Sequence, residues 1–494
     1  MKFILLIIII LTAVLRIYDI EIKNMWFDEV YSWKLSQKSV TVIVSDTSGD
    51  IHPPFFYIVL KYWTELFNDS ILSMRLLSVL TSLLSIIFIY KISKIVFNKN
   101  YLVIFILLLY AVSPVNIFYS QEVRMLSLNL FLCLGSVYYF LISFKDSSFK
   151  NLLLYILFSV LAIYTHYFAF LIIFTEFIIL ILKVFTKTEK FSETKKLFIS
   201  VFLINLFYLP WYPVFFQQVS KGQPWRTVLT FKDSGINFLD YFKHIFLSNY
   251  YTFEPGYIHF LATFITYFIL AFLLYSLFRF FNSKVKLMKD NNYTILFFFI
   301  PLIIAGIISI KQNILLSRYL SIILPFLLIT IMFFSDKYLK RKLTVTLFIF
   351  LFSISSLGVY INYRNEFKNN DYRKIINYIE ENFTDGDQIL TEPHFMGWSI
   401  EYYKEHSQTK LPVPVIFGWN IDMQLDSINN RNDLKNLWII QDYSSLENEK
   451  YDSTISRMEN MGYIKSKDKT FYPVPSKVNV SKFIRPEIKN ERKY

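Results

Sequence analysis

Long apolar stretches constrain the fold of this 494-residue chain more than any other feature of the sequence. A helix needs about 20 predominantly apolar residues to cross the hydrocarbon core of a bilayer. Stretches of about this length predict transmembrane helices over residues 3–22, 75–97, 101–119, 125–143, 151–165, 167–185, 197–216, 257–279, 292–310, 317–335 and 343–362. The run over 151–185 is too long for one crossing, so we divide it at Thr165-His166-Tyr167. The sequence therefore predicts a polytopic α-helical membrane protein with about 11 transmembrane helices.

The distribution of lysine and arginine predicts which loops face the cytoplasm. Basic residues collect in alternate loops, at 91–99, 145–150, 183–196, 279–289 and 337–342. Cytoplasmic loops carry such an excess, so the loops 23–74 and 217–256 and the C-terminal region are predicted on the extracytoplasmic side. The net charge of +13 is then a property of cytoplasmic loops, and it does not indicate nucleic-acid binding. No cleavage site follows the first apolar run, which predicts a retained first membrane helix.

The composition changes near residue 364, where charged and polar residues replace the apolar runs. Alternating helix and strand patterns over 371–383, 388–391, 437–440 and 453–461 predict a small α/β domain. We therefore expect a transmembrane domain over 1–363 and a soluble extracytoplasmic domain over 364–494. An aromatic helix is predicted over 55–67, either along the membrane surface or as a short oblique crossing.

Ionisable residues concentrate in the first predicted outer loop, 23–74, which contains Asp28, Glu29, Asp50 and His52. Such groups beside a bilayer are costly to keep and are functional candidates by default. One carboxylate can act as a general base on an acceptor hydroxyl, while another orients a group or binds a metal. Asp50 and His52 can bind a cation or orient a sugar. Helix capping and solvated surface pairs are the alternative interpretations.

Further polar residues lie at predicted helix ends on the same side of the membrane. Arg124 suits a phosphate because its planar guanidinium offers two parallel hydrogen bonds. Glu122 can hold the Arg124 side chain in place; the alternative is that the two form only a surface ion pair. His166, at the break between two helices, is a ligand or a packed core residue. Arg318 is a phosphate contact or a side chain that reaches the headgroups. Trp225, in the 217–256 loop, can stack on a sugar or anchor the interface.

Several short segments follow one another in an order that is more specific than any one of them. They are Phe27-Asp28-Glu29, His52-Pro53-Pro54-Phe55-Phe56-Tyr57, Arg75-Leu76-Leu77-Ser78, Ser113-Pro114, Tyr119-Ser120-Gln121-Glu122-Val123-Arg124-Met125, Thr165-His166-Tyr167, Arg318-Tyr319-Leu320 and Leu324-Pro325. Over about residues 24–330 this series resembles the bacterial protein-mannosyltransferase-like, ArnT-like branch of the GT-C glycosyltransferases. The resemblance implies an enzyme of the bacterial inner membrane that transfers a hexosyl or pentosyl group from a polyprenyl-phosphate carrier to an extracytoplasmic lipid, glycan or protein.

The same resemblance implies roles for individual residues. Asp28 matches the position of the catalytic base, and Glu29 is the second catalytic candidate. Substrate-binding candidates are Asp50, His52, Gln121, Glu122, Arg124, His166, Trp225, Arg318 and Tyr319. A single base is sufficient for direct inverting displacement, which we therefore expect. A divalent cation, Mg²⁺ or Mn²⁺, is an open expectation with Glu29, Asp50 and His52 as candidate ligands.

Three other functions compete with this interpretation. A secondary transporter or lipid flippase would place ionisable groups near the bilayer midplane, whereas here they lie at helix ends. An outer-face polysaccharide polymerase or ligase would share the lipid-linked substrate but transfer a chain. A structural scaffold would leave the Asp28, Glu29 and Asp50 cluster without a purpose. The sequence contains no G-x-x-x-x-G-K-[ST], G-x-G-x-x-G or H-E-x-x-H motif, so a nucleotide-driven pump or zinc protease is unsupported.

Overall fold

The computed structural model divides the chain into two compact units. The membrane unit comprises Met1–Ile20 and Leu35–Asn365, and the C-terminal unit comprises Glu21–Lys34 and Glu366–Tyr494. The structure describes all residues except 1, 222–230, 251, 253, 284–285, 290, 313, 366–371, 393–395, 407, 413–435, 443–447, 472–477 and 486–494.

The first 18 helices run from the N-terminus to residue 364 and include all the helices described in the membrane unit. In chain order they are α1 Lys2–Ile17, α2 Phe27–Ser36, α3 Val40–Gly49, α4 Phe55–Phe67, α5 Ile71–Val96, α6 Asn100–Ala111, α7 Pro114–Ser120, α8 Leu126–Ser143, α9 Phe149–Thr165, α10 Ala169–Phe185, α11 Phe191–Tyr208, α12 Tyr212–Lys221, α13 Phe231–Leu247, α14 Gly256–Phe281, α15 Leu296–Ser309, α16 Ser317–Leu320, α17 Leu324–Tyr338 and α18 Arg341–Arg364. Short 3₁₀ turns precede α12, α15 and α17.

Seven segments of the described chain are long and apolar enough to cross a membrane. They are Ile71–Val96, Leu126–Ser143, Phe191–Lys221, Gly256–Phe281, Asn292–Ser309, Ser317–Tyr338 and Arg341–Arg364. The helices α6 and α7 make an eighth if their 53° bend is accepted within one span. Pro114 begins α7, and proline favours a non-helical residue before it, which accounts for the break. The predicted multi-span helical protein is confirmed, although the predicted number of about 11 spans is not.

The predicted division of the long apolar run is present in the structure. His166 has φ −159° and ψ 137°, which is extended backbone, and it separates α9 from α10. The helix predicted over 55–67 is also present as α4, whose 13 residues rise about 20 Å. This length is shorter than a full crossing of the hydrocarbon core.

A buried polar network joins α8, α9 and α10 inside the membrane unit. The carboxylate of Glu176 accepts hydrogen bonds from Ser136 at 2.7 Å and from the Tyr155 hydroxyl at 3.0 Å. The Ser136 and Ser159 hydroxyls are 2.8 Å apart. All four side chains are buried, so these hydrogen bonds provide the partners that buried polar groups need. The network therefore links the three helices that support the helix break at His166.

The C-terminal unit packs helices against a four-stranded sheet of order β1-β2-β4-β3. Strand β1 is parallel to β2, and β4 is antiparallel to both β2 and β3. Its core contains buried residues from β1, β2, β4 and the last helix. The elements after residue 372 are α19 Arg373–Glu381, β1 Gln388–Glu392, α20 Gly397–Glu405, β2 Asn436–Asp442, α21 Asn448–Asn460, β3 Ile464–Phe471 and β4 Val478–Ile484. The predicted α/β architecture is confirmed.

Candidate active site

Asp50 and His52 lie together in the turn between α3 and α4 of the membrane unit. The Asp50 backbone N–H donates to the Thr47 carbonyl at 3.3 Å and closes α3. The Oδ2 of Asp50 lies 3.6 Å from the Nδ1 of His52. The pair thus provides a negative group beside a group that can donate or accept a proton.

His166 extends this cluster from the break between α9 and α10. The rings of His52 and His166 have centroids 5.7 Å apart, and the centroids of His166 and Tyr319 are 5.3 Å apart. The backbone N–H of Phe168 donates to the Nδ1 of His166 at 3.2 Å. This hydrogen bond makes Nδ1 an acceptor, so a neutral His166 carries its proton on Nε2. The turn therefore determines which ring nitrogen can donate.

This cluster lines a small, partly open cavity of about 60 Å³. Three separate regions of sequence contribute to it: the turn before α4, the α9–α10 break and the region of α16. The lining residues are Ile51, His52, His166, Tyr167, Phe168, Ile314 and Tyr319. The cavity combines two imidazoles and two phenols with apolar walls, and its volume is well below the roughly 300–1,000 Å³ of a typical ligand pocket.

Two arginines lie in the membrane unit at predicted phosphate-binding positions. Arg318 places its guanidinium carbon 5.0 Å from the centroid of the Tyr319 ring and donates to the Tyr319 hydroxyl at 3.2 Å. Arg124 is buried and donates to the Tyr57 hydroxyl at 3.5 Å. Arg318 is thus hydrogen-bonded to Tyr319, which lines the cavity. Arg124 is hydrogen-bonded to Tyr57 on α4, the helix that follows His52.

Gln121 and Glu122 have structural contacts in this turn. The side-chain amide of Gln121 donates to the carbonyls of Arg16 at 3.1 Å and Tyr18 at 2.8 Å. The backbone carbonyl of Glu122 accepts a 2.5 Å hydrogen bond from Ser78. Both side chains are buried. Gln121 therefore fixes the end of α1, and its predicted contact with substrate stays a prediction.

Sequence reasoning missed a polar network that lies beside Arg318. The Ser317 hydroxyl donates a hydrogen bond to the side-chain oxygen of Asn249 at 3.1 Å. The same hydroxyl lies 3.3 Å from the Tyr119 hydroxyl and 3.2 Å from the Nδ1 of His244. Burial lowers the pKa of His244 to about 4, so its imidazole is neutral at pH 7. The two residues lie in the predicted outer loop 217–256, His244 in the last turn of α13 and Asn249 just after that helix. Nothing in the sequence of this polar segment reveals their partners.

Asp28 and Glu29 lie in the first turn of α2, within the C-terminal unit. Successive helical residues point about 100° apart, and accordingly Glu29 is fully buried whereas Asp28 is partly exposed. The carbonyl of Asp28 accepts a 3.0 Å hydrogen bond from Ser32. Carboxylates are favoured at the N-terminus of a helix because the helix dipole is positive there. Of the two, Asp28 has the carboxylate that solvent can reach.

Two predicted features have no counterpart to describe. Trp225 lies outside the described residues. Among the residues that the structure does describe, no three His, Cys, Asp or Glu side chains come together as a set of metal ligands.

Comparison with known proteins tests the family resemblance directly. Residues 51–212 match the family model described as dolichyl-phosphate-mannose-protein mannosyltransferase. The match includes His52, Gln121, Glu122, Arg124 and His166, and it begins one residue after Asp50. The resemblance to the GT-C glycosyltransferases is confirmed. No curated protein sequence matches the chain.

Solved structures of GT-C glycosyltransferases share the fold. ArnT from Cupriavidus metallidurans, bound to undecaprenyl phosphate, superposes with a TM-score of 0.54 and 11% identity over 96% of this chain and 97% of its own. A second similar structure is the oligosaccharyltransferase AglB from Archaeoglobus fulgidus in complex with an inhibitory peptide and a dolichol-phosphate. It superposes with a TM-score of 0.53 and 11% identity over 98% of this chain and 74% of its own.

The apo form of the Archaeoglobus fulgidus oligosaccharyltransferase gives a TM-score of 0.51 with 12% identity, over 83% of this chain. The chain spans 60% of the length of that protein. The chain thus shares the multi-span membrane fold of these glycosyltransferase structures, and its residues 51–212 match the mannosyltransferase family model.

Proposed function

We propose that this protein transfers a sugar from a polyprenyl-phosphate carrier to an acceptor on the extracytoplasmic side of the bacterial inner membrane. One observation carries the proposal: three distant parts of the family-like sequence converge on one cavity through His52, His166 and Tyr319. The similar ArnT and AglB structures contain bound undecaprenyl phosphate and dolichol-phosphate, respectively. Lipid, glycan and protein acceptors all have the hydroxyl or amide nucleophile that the reaction requires.

The proposed step is a direct displacement at the anomeric carbon of the donor sugar. The acceptor oxygen loses its proton to the carboxylate of Asp28 and forms a bond to the anomeric carbon. The bond from that carbon to the phosphate oxygen breaks, and polyprenyl phosphate leaves with the bonding electrons. Arg124 and Arg318 are the cations that we assign to the developing phosphate charge. One displacement inverts the anomeric configuration.

Asp28 is a better candidate for the base than its neighbour. Glu29 is fully buried, so an acceptor hydroxyl cannot approach its carboxylate without local rearrangement. Asp28 is partly exposed and lies on the same turn. We therefore assign Glu29 a supporting role beside Asp28 in the first turn of α2.

The proposed reaction does not include a metal step. The described residues show no three-ligand cluster, although Asp50 and His52 supply one oxygen and one nitrogen ligand side by side. Transfer that persists in excess EDTA supports this assignment. Loss of transfer in EDTA, with recovery on adding Mg²⁺ or Mn²⁺, would require Asp50, His52 or Glu29 as ligands.

The decisive experiment replaces Asp28 by asparagine and measures transfer from a radiolabelled polyprenyl-phosphate sugar. We expect Asp28→Asn to lower kcat about 10²–10⁴-fold, because a positioned base contributes about that factor. Asp385→Asn, at an exposed turn of the same unit, is the matched control and should retain activity. Full activity of folded Asp28→Asn would overturn the assignment of the base.

A further inference from the structure

Residues 21–34, which contain Asp28 and which we call the catalytic segment, belong to the C-terminal unit. The residues on either side of them in sequence belong to the membrane unit. We propose that the C-terminal unit positions Asp28, with Tyr403 and Glu401 as the positioning residues. This inference rests on the proposed function, because it assigns the soluble domain a role in that reaction. Three kinds of contact between residues 21–34 and the helices α19 and α20 support it.

Backbone hydrogen bonds hold the segment before α2. The Arg373 guanidinium, at the start of α19, donates to the Ile22 carbonyl at 2.7 Å. The hydroxyl oxygen of Tyr403, on α20, accepts a hydrogen bond from the Met25 backbone N–H at 3.2 Å. Met25 and Tyr403 are both buried. A buried N–H without a partner is costly, so loss of the Tyr403 hydroxyl penalises this conformation of the segment.

An ion pair holds the other end of the segment. Lys34, in the last turn of α2, forms a salt bridge with Glu401 on α20. Both side chains are largely shielded, with 30% and 17% of their surfaces exposed. Partial burial reduces the screening that makes surface pairs weak. This pair therefore fixes the orientation of α2 about its axis.

Aromatic packing covers the face of α2 between these two anchors. The Trp33 indole is fully buried and meets Tyr402 edge-to-face at 5.1 Å and 85°. The ring of Phe27, next to Asp28, stacks on Trp398 at 6.2 Å and 15°. Aromatic pairs of this kind contribute beyond their buried area. Contacts with α20 thus lie on both sides of Asp28 in sequence.

The segment needs such support because α2 is too short to be stable by itself. It has 10 residues, whereas isolated helices shorter than about 12–15 residues are marginal in water. Its conformation is therefore set by packing on the C-terminal unit. A base that must meet an acceptor hydroxyl loses rate when its backbone is mobile, because small displacements are costly in catalysis. The soluble domain accordingly acts as a holder for the catalytic carboxylate.

The test exchanges the charges of the ion pair in the full-length protein. Glu401→Lys and Lys34→Glu each place like charges together, and the double variant restores an opposite pair. We expect each single variant to speed amide hydrogen exchange of residues 21–34 about tenfold and to lower kcat by a similar factor. The KM for the polyprenyl-phosphate sugar should stay within twofold, since neither residue is assigned to donor binding. The double variant should recover most of both losses.

Matched variants separate positioning from general damage. Glu405→Lys makes the same change at an exposed position of α20 and should alter neither exchange nor kcat. Tyr403→Phe, which removes one hydroxyl, should speed exchange near Met25. Unchanged exchange of residues 21–34 in Glu401→Lys, or no recovery in the double variant, would overturn the proposal. The exchange measurement does not depend on which residue is the base, so failure of Asp28 as base is a distinguishable result.

Discussion

The Nζ of Lys482 lies 2.6 Å from the Oδ2 of Asp387, and both side chains are buried in the C-terminal unit. The Trp438 indole N–H donates to the same carboxylate at 2.9 Å, and the Thr384 hydroxyl donates at 2.6 Å. Burial alone would raise the pKa of Asp387, but hydrogen bonds from Lys482, Thr384 and Trp438 outweigh it and hold the pKa below its ordinary value. This pair joins β4 to the turn before β1.

Asp387 makes the stability of the C-terminal unit depend on pH. Because the pKa of Asp387 is lower in the folded state than in the unfolded chain, its stabilisation is fully present above about pH 4. It is lost as the pH falls through the folded-state pKa. Hydrogen exchange of β2, corrected for the intrinsic rate at each pH, should show protection that is constant above about pH 4 and falls as the pH drops further.

The Asp387→Asn variant provides the test of that pH dependence. It leaves the Lys482 charge buried without its partner, which should cost about 3–5 kcal/mol. Protection of the β2 amides against exchange should then be low at neutral pH and should change little as the pH is lowered. Asp385→Asn, two residues away and exposed, should retain the wild-type profile. A steep acid-dependent loss in Asp387→Asn would assign the effect to another carboxylate.

Arg124 should act on the departing phosphate more than on sugar binding. Arg124→Ala should lower kcat about 10²–10³-fold, the usual effect of removing one donor to a developing anion. Arg124→Lys should recover only part of the activity, since an ammonium cannot make the bidentate contact. Steady-state transfer assays measure both. Arg364→Ala, an exposed arginine of the same unit, is the control; equal losses in the two alanine variants would refute the assignment.

His166 allows the roles of its two nitrogens to be separated. Asparagine places an acceptor near the Nδ1 position and can keep the hydrogen bond from the Phe168 backbone. Glutamine places a donor nearer to the Nε2 position. If the cavity-facing donor matters, transfer activity should be retained better in His166→Gln than in His166→Asn, whereas thermal stability in detergent should follow the reverse order. The same order for both properties would indicate a packing role only.

Gly358 controls the approach of α18 to α13, the helix that carries His244. A Cβ at Gly358 would lie 2.5 Å from the backbone carbonyl oxygen of Phe246, so backbone must move to admit alanine. Gly358→Ala should lower the thermal stability in detergent by an amount equivalent to about 1–3 kcal/mol, as overpacking usually does. At Gly306 nothing lies within 4 Å of such a Cβ, so Gly306→Ala should be neutral or stabilising.

The membrane helices and the α/β composition of the C-terminal region were predictable because their signals are local. Apolar runs and lysine clusters require no knowledge of distant residues, and the break at His166 followed from the length of one run. The proximity of His52, His166 and Tyr319 was suggested only by the family resemblance. Nothing local in the sequence connects these residues, because their contacts depend on how the helices pack.

The partners of the first outer loop were not predictable from the sequence. Lys34 and Glu401 are 367 residues apart, and nothing local in the sequence connects them. The network of Ser317 with His244 and Asn249 was missed for the same reason. Gln121 illustrates another limit: its motif suggested a substrate contact, which stays a prediction, but it gave no sign of the hydrogen bonds from Gln121 to the end of α1.

The long separation between Lys34 and Glu401 also sets an order of events during biosynthesis. The ribosome delivers Lys34 before the helices α3–α18, whereas Glu401 follows 367 residues later. At about 5–20 residues per second, this interval is roughly 20–70 seconds. During that time the membrane helices α3–α18 are synthesised, while α2 still lacks its partner. Incomplete products of translation would therefore be inserted in the membrane without the contacts that hold residues 21–34.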